Sequence, residues 1–124
     1  MAKILMIDTD LAALEVTAEL ESAGHNVWIA SDSANALYLL KGPRQYDLMI
    51  TELTLSGSST LTLIDVARQQ QPSLPIIVAS GTIGAQSPEI RATLKRLGVE
   101  EILGKPIDVQ ILLEAVARSL RKRS

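Results

Sequence analysis

Five short apolar runs alternate with five amphipathic segments along this chain, and the alternation constrains the fold more than any other feature. The runs have the length of strands and cover residues 4–7, 27–30, 48–50, 75–79 and 102–103. Each segment that follows carries apolar side chains at helical spacing. Strict alternation of this kind is typical of a parallel sheet with helices on both faces. The sequence therefore predicts an α/β fold, a doubly wound, five-stranded parallel sheet in a three-layer sandwich.

Start and stop residues mark the ends of the predicted helices. The first helix is predicted over residues 11–23, and the last carries an apolar stripe from Val109 to Leu120. Residues that can cap helix N-termini, because their side chains accept backbone hydrogen bonds, are Asp10, Ser31 or Ser33, Ser87 and Asp108. Residues that end helices are Gly24, Gly42 with Pro43, Pro72 and Gly98.

The composition fits one domain, so residues 1–124 are predicted to form a single domain. Of the 124 residues, 47% are hydrophobic and only 2% aromatic, so the core must be aliphatic and no aromatic platform for nucleic-acid bases is expected. The chain has no cysteine, which excludes disulfides and thiolate metal sites. No apolar run approaches the length of a signal peptide or a membrane span. We expect a cytoplasmic protein with no membrane partner.

Polar and charged residues follow several of the predicted strands at the point where each strand ends. Glu52 follows the central run and precedes a loop rich in serine and glycine, while Asp8, Ser80 and Lys105 follow three other runs. Because ligands bind outside the carboxyl ends of strands in open α/β sheets, we expect these four side chains to share one edge. The sequence predicts a site with two acids, a hydroxyl and a cation.

Four stretches of the chain resemble the response-regulator receiver domains of two-component phosphorelays. Residues 4–8 read Ile-Leu-Met-Ile-Asp, residues 46–51 Tyr-Asp-Leu-Met-Ile-Thr, residues 75–81 Pro-Ile-Ile-Val-Ala-Ser-Gly and residues 98–106 Gly-Val-Glu-Glu-Ile-Leu-Gly-Lys-Pro. They are similar to the family's acid pocket, its phosphoacceptor strand, its Ser/Thr strand and its closing Lys-Pro signature. The resemblance implies a flavodoxin-like fold, a signalling role without enzymatic activity, and a cis peptide before Pro106.

The acid pocket departs from the family's pattern. Where the family has its phosphoacceptor aspartate, this chain has Glu52, and where it has a second adjacent acid, this chain has Thr9, with Asp10 one position late. The resemblance implies a Mg²⁺ site formed by Asp8, Glu52 and the carbonyl of Thr54. Because one hard anionic ligand is missing, we expect Mg²⁺ to bind weakly or not at all, and no cofactor to be required.

The switch residues depart from the family's pattern as well. Ser80 matches the family's Ser/Thr, but Ile102 stands where the family has an aromatic residue that changes position with phosphorylation. Because a β-branched side chain has one strongly preferred rotamer, Ile102 is not expected to make that movement. The chain between Ser80 and Gly98 is also a few residues longer than expected, which places extra residues 81–86 beside the site.

Glu52 changes the chemistry that this edge can perform. Its carboxylate projects about 1.5 Å farther than that of aspartate, and a misplacement of about 1 Å can slow a reaction ~100-fold. The same methylene sends a negative charge toward the place of a phosphoryl group, within reach of Lys105 and Ser80. Glu52 is therefore interpreted either as a mimic of the phosphorylated state or as a group that only neutralises Lys105.

Three functions remain open from the sequence. The first is a signalling module of the receiver class that binds protein partners without being phosphorylated. The second is a receiver that still accepts a phosphoryl group, on Glu52 or with a metal ion bound by Asp8, Asp10 and Glu52. The third is a flavodoxin-like enzyme that binds a flavin or nucleotide, against which the first strand is followed by no glycine-rich or hydroxyl-rich phosphate loop.

The expected partners are proteins. The resemblance implies a sensor kinase, an output domain or another signalling protein, and a possible homodimer through the fourth helix, fifth strand and fifth helix. Direct binding of nucleic acid is not expected, because the basic residues in 118–124 are explained by the favourable potential at a helix C-terminus. Those residues form either a basic helix end or the start of a linker.

Overall fold

Five parallel strands form one sheet in the computed structural model, which describes residues 2–8, 12–53, 58–81 and 88–123. The strands are β1 (Lys3–Ile7), β2 (Asn26–Ala30), β3 (Leu48–Glu52), β4 (Ile76–Ser80) and β5 (Glu101–Gly104). The helices are α1 (Ala12–Ser22), α2 (Ser33–Lys41), α3 (Ser58–Gln70), α4 (Pro88–Arg96) and α5 (Val109–Arg123). The predicted α/β fold with a doubly wound, flavodoxin-like sheet is confirmed.

The strand order determines which strand ends lie side by side. The order is β2-β1-β3-β4-β5, so β1 and β3 are neighbours in the middle of the sheet. Ile7 pairs with Thr51 across these two strands, and Ser80 pairs with Gly104 across β4 and β5. All pairs are parallel, so the C-terminal ends of the strands meet at one edge, where the residues that follow them also lie.

Each face of the sheet has its own aliphatic core. Alternate residues of a strand point to opposite faces, so Met49 joins one cluster while Leu48 and Ile50 join the other. The first cluster also contains buried residues of α2 and α3, and the second contains buried residues of α1 and α5. Full burial of one such side chain stabilises the fold by about 1.5–3 kcal/mol. The two clusters explain why the strands read as continuous apolar runs.

The helix caps agree with the sequence in some places and differ in one. Asp108 caps α5 as predicted, because its Oδ1 accepts the backbone N–H of Gln110 at 2.9 Å. The prediction that Ser31 or Ser33 caps α2 is wrong. Asp32 lies between the two serines, and its Oδ1 accepts the N–H of Asn35 at 2.8 Å. The predicted caps Asp10 and Ser87 lie outside the described residues.

Two polar side chains of the α3 region hold backbone segments that are distant in sequence. Gln71 is buried, and its amide accepts the N–H of Tyr46 at 2.7 Å and donates to the carbonyl of Tyr46 at 2.8 Å. Arg68 donates to the carbonyl oxygens of Leu97, Leu74 and Gly98 at 2.7, 2.6 and 3.0 Å. These contacts join the end of α3 to the segments that precede β3, β4 and β5.

Gly98 ends α4 in a conformation that suits glycine. Its φ is +83°, in the left-handed region where other L residues are strained. A Cβ added there would lie 2.9 Å from a guanidinium nitrogen of Arg68. Gly98 therefore permits both the turn and the close approach of Arg68.

Candidate functional site

The C-terminal edge of the sheet brings together Asp8, Glu52, Ser80 and Lys105, as the sequence predicts. Glu52 and Ser80 are the last residues of β3 and β4, and Asp8 and Lys105 directly follow β1 and β5. The hydrogen bonds between β4 and β5 continue at this edge, because the N–H of Lys105 donates to the carbonyl of Ser80 at 3.1 Å. The backbone of rigid strands thus positions all four residues.

Lys105 bridges the two acids. Its Nζ lies 3.0 Å from Oδ2 of Asp8 and 3.1 Å from Oε2 of Glu52. The side chain of Asp8 is only 7% exposed, whereas those of Glu52 and Lys105 are each 19% exposed. Lys105 therefore contacts Glu52, and Asp8 shares the same ammonium group.

The environment of Lys105 favours its charged form. Burial alone acts to lower the pKa of Lys105, but the hydrogen bonds and charges of Asp8 and Glu52 outweigh burial and raise this pKa above its ordinary value. A lysine whose pKa is raised on folding stabilises the folded state at every pH below its unfolded pKa. That stabilisation is lost as the pH rises through the folded pKa.

Changing Lys105 to Met should destabilise the fold, because it leaves Asp8 and Glu52 facing each other without a cation. We expect a loss of about 1–3 kcal/mol at neutral pH, less than the about 3–5 kcal/mol typical of fully buried pairs because the site is partly exposed. Urea unfolding measures the loss, with Lys95→Met on exposed α4 as the matched control. The difference should be constant from neutral pH to about pH 10 and shrink above it. Equal stability of both variants at neutral pH would contradict the pairing.

Two smaller contacts shape the site, of which only the one made by Thr60 was not anticipated from the sequence. The hydroxyl of Thr60 on α3 donates to the carbonyl oxygen of Glu52 at 2.7 Å and so fixes the backbone at the end of β3. A Cβ added to Gly81 would lie 3.2 Å from the Cβ of Lys105, which is tighter than ordinary contact. The absence of a side chain at Gly81, directly after β4, therefore lets Lys105 lie close to the end of β4. In the sequence, Thr60 adjoins a stretch rich in serine and glycine, so nothing marked it as a residue of the site.

Of the remaining predicted site residues, the structure describes some, while others lie in segments that it does not describe. Ile102 lies on β5, partly buried against the cluster that contains Met49. The peptide bond between Lys105 and Pro106 is cis, as expected. Thr9, Asp10, Thr54 and residues 82–87 lie outside the described part of the chain, so the structure says nothing of the expected second acid position, the carbonyl ligand or the lengthened loop.

The described groups that this edge offers to a Mg²⁺ ion are the carboxylates of Asp8 and Glu52. Mg²⁺ requires near-octahedral oxygen ligation, usually with one or two carboxylates that are free to bind it. Here both carboxylates contact Lys105. Among residues 2–8, 12–53, 58–81 and 88–123, no cluster of three or more His, Asp or Glu side chains could hold a metal ion. Weak or absent Mg²⁺ binding stays a prediction, and no chemical step is assigned to a metal.

A family profile, related sequences and solved structures all indicate the same protein family for this chain. The sequence profile of the family described as "Response regulator receiver domain" matches residues 4–117. The response regulator protein FleR of Pseudomonas aeruginosa is 28% identical over 117 residues, which cover 94% of this chain and 24% of FleR. The structure of the chemotaxis response regulator CheY4 of Vibrio cholerae has 26% identity and a TM-score of 0.82, with 97% of this chain and 99% of that chain covered.

A further structure shows the fold alone. The CheY-like receiver domain protein of Methanospirillum hungatei JF-1 has a TM-score of 0.86 at 24% identity, covering 98% of this chain and 95% of that chain. The curated relatives are longer, and the chain spans between 17% and 54% of the length of those it matches. Within the described residues, no helix is long and apolar enough to span a membrane.

The family assignment rests on the whole fold and on the site together. The profile covers most of the chain, the strand order places two acids and a lysine at one edge, and the last of these precedes a cis proline. Members of this family generally serve as signalling modules in two-component systems. The chain belongs to the response regulator receiver domain family.

Proposed function

We propose that this chain is a receiver domain of a two-component pathway that binds a protein partner without being phosphorylated. Its family supports the signalling role. The observation that carries the proposal is Glu52, which stands at the phosphoacceptor position with its Oε2 3.1 Å from Nζ of Lys105. A lysine at this position in a receiver holds an oxygen of the transferred phosphoryl group. Here a permanent carboxylate already holds that lysine.

Without a bound Mg²⁺, the charge at this edge opposes phosphotransfer. One ammonium faces two carboxylates, so the three groups together carry a formal charge of −1. A phosphodonor brings further negative charge, and transfer requires cations that neutralise it. The donor would have to displace Glu52 from Lys105 while Glu52 itself acts as the attacking group. Position and charge therefore both act against modification.

Partner recognition is proposed to be constitutive. A phosphorylated receiver is a two-state element, and its partners respond to the change of state. With Glu52 held by Lys105 and a stiff Ile102 on β5, the surface of α4, β5 and α5 keeps one conformation in this proposal. The partner is a sensor kinase, an output domain or a second copy that uses this face.

Acetyl phosphate with Mg²⁺ should leave the chain unmodified, because both the acceptor position and the metal site differ from those of the family. Intact mass spectrometry measures the covalent product, and a receiver with aspartate at the acceptor position serves as the positive control. Beryllofluoride with Mg²⁺ should likewise cause no saturable NMR shift. A stable phosphoryl mass on Glu52, under conditions that also modify the control, would refute the proposal in favour of a phosphorylatable receiver.

A further inference from the structure

A groove of about 830 Å³ runs along α2 and around the loop that follows it. Lys3 begins β1 and Arg44 precedes β3, so the groove reaches the N-terminal ends of the strands, opposite the edge that carries Glu52. Leu37, Tyr38 and Pro43 give it an apolar lining. The groove is therefore separate from the site described above.

Three cations lie around this apolar lining. They are Lys3, Lys41 and Arg44, in a chain whose formal net charge is −2. The ion pairs found within the described residues involve Lys105 and Arg118 instead. The neighbouring acid, Asp47, accepts the backbone N–H of Lys3 at 2.8 Å. The groove thus concentrates positive charge in an otherwise slightly acidic domain.

Aromatic side chains hold and extend this basic surface. The guanidinium carbon of Arg44 lies 4.4 Å from the centre of the Trp28 ring, which keeps the cation in place. Trp28 in turn packs edge to face against buried Tyr46, with ring centres 6.0 Å apart. Tyr38 is 79% exposed, although a large aromatic side chain usually gains by being covered. Aromatic and arginine side chains of this kind dominate the binding energy of protein interfaces.

We propose that this groove binds an acidic segment of a partner protein that also carries an aliphatic anchor. Charge complementarity selects acids, because three cations that form no ion pair among the described residues line the groove. The apolar lining and exposed Tyr38 select an aliphatic side chain in addition. A small anion would use the cations but leave this apolar surface uncovered. The proposal goes beyond the function of the Glu52 edge, because it does not depend on whether Glu52 accepts a phosphoryl group.

Trp28 allows a direct test, because it is the only tryptophan in the 124 residues. The probe is a synthetic peptide with glutamate and leucine at helical spacing and no tryptophan. We expect a saturable change in Trp28 fluorescence that weakens with added salt. A peptide with lysine in place of each glutamate is the matched control and should cause no saturable change.

Variants of the chain identify the surface. Lys41→Glu should weaken binding of the acidic peptide by at least about fivefold, whereas Lys95→Glu, the same charge change on α4, should not. Tyr38→Ser should weaken binding without affecting folding, because Tyr38 is largely exposed. No saturable response, or an equal response to the lysine peptide, would overturn the proposal. Self-association of the chain that Lys41→Glu abolishes would also overturn it, since a second copy would then occupy the groove.

Discussion

Changing Glu52 to Asp and Thr9 to Asp together should allow the domain to accept a phosphoryl group, which we expect the native chain not to accept. The first change withdraws the carboxylate by about 1.5 Å, and correcting a misplacement of about 1 Å can recover ~100-fold in rate. It also lengthens the contact between this carboxylate and Lys105, now 3.1 Å. The second change restores the hard anionic ligand that Mg²⁺ requires. Intact mass after acetyl phosphate treatment measures the product.

Single variants separate the two contributions. Glu52→Asp alone should be modified slowly, because the metal site stays incomplete, and Thr9→Asp alone should stay unmodified. A double variant with Asn at position 52 and Asp at position 9 lacks an acceptor carboxylate and is the negative control. If the variant with Asp at both positions stayed unmodified while still folded, the acceptor geometry and the metal site would not be the features that decide whether this domain accepts a phosphoryl group.

Gln71→Leu should lower the free energy of unfolding by about 2–6 kcal/mol. The change removes both partners of the buried Tyr46 backbone, and each unsatisfied buried group costs about 1–3 kcal/mol. Such a loss is a large part of the about 5–15 kcal/mol that stabilises a typical domain. Urea unfolding measures it, and Gln70→Leu on the exposed end of α3 is the matched control.

Comparing Gln71→Leu with Gln70→Leu separates the loss of the two hydrogen bonds to Tyr46 from the general effect of replacing glutamine by leucine. Gln70→Leu should alter stability by no more than about 0.5 kcal/mol, as surface changes usually do. Similar losses for both variants would show that the Gln71 hydrogen bonds contribute little and that another group, such as water, replaces them.

Periodicity and parallel topology made most of the fold and the centre of the site predictable. Apolar runs of strand length identified every strand, and the rule that parallel strands end at one edge placed Asp8, Glu52 and Lys105 together before any contact was known. Asp32 was missed as a cap because two serines flank it and any of the three residues can accept a backbone hydrogen bond. Which of the three residues caps the helix depends on their backbone angles, and these cannot be read from the sequence.

Long-range polar contacts were the part that sequence reasoning could not reach. Gln71 and Arg68 bond to backbone atoms of residues 25 and 29 positions away, and every residue offers the same backbone atoms. No pattern therefore marks the acceptors. The groove along α2 was missed for a related reason, because Lys3 and Arg44 meet only when β1 and β3 become neighbours in the sheet.

The Arg68 contacts fix the C-terminal end of α4. Two of its three acceptors, the carbonyls of Leu97 and Gly98, directly follow α4, and the third, Leu74, lies just before β4. Lifting this end of the helix would break charge-assisted hydrogen bonds. One arginine of α3 therefore fixes the end of α4 and the start of β4 relative to each other, which supports the single conformation proposed for the α4, β5 and α5 surface.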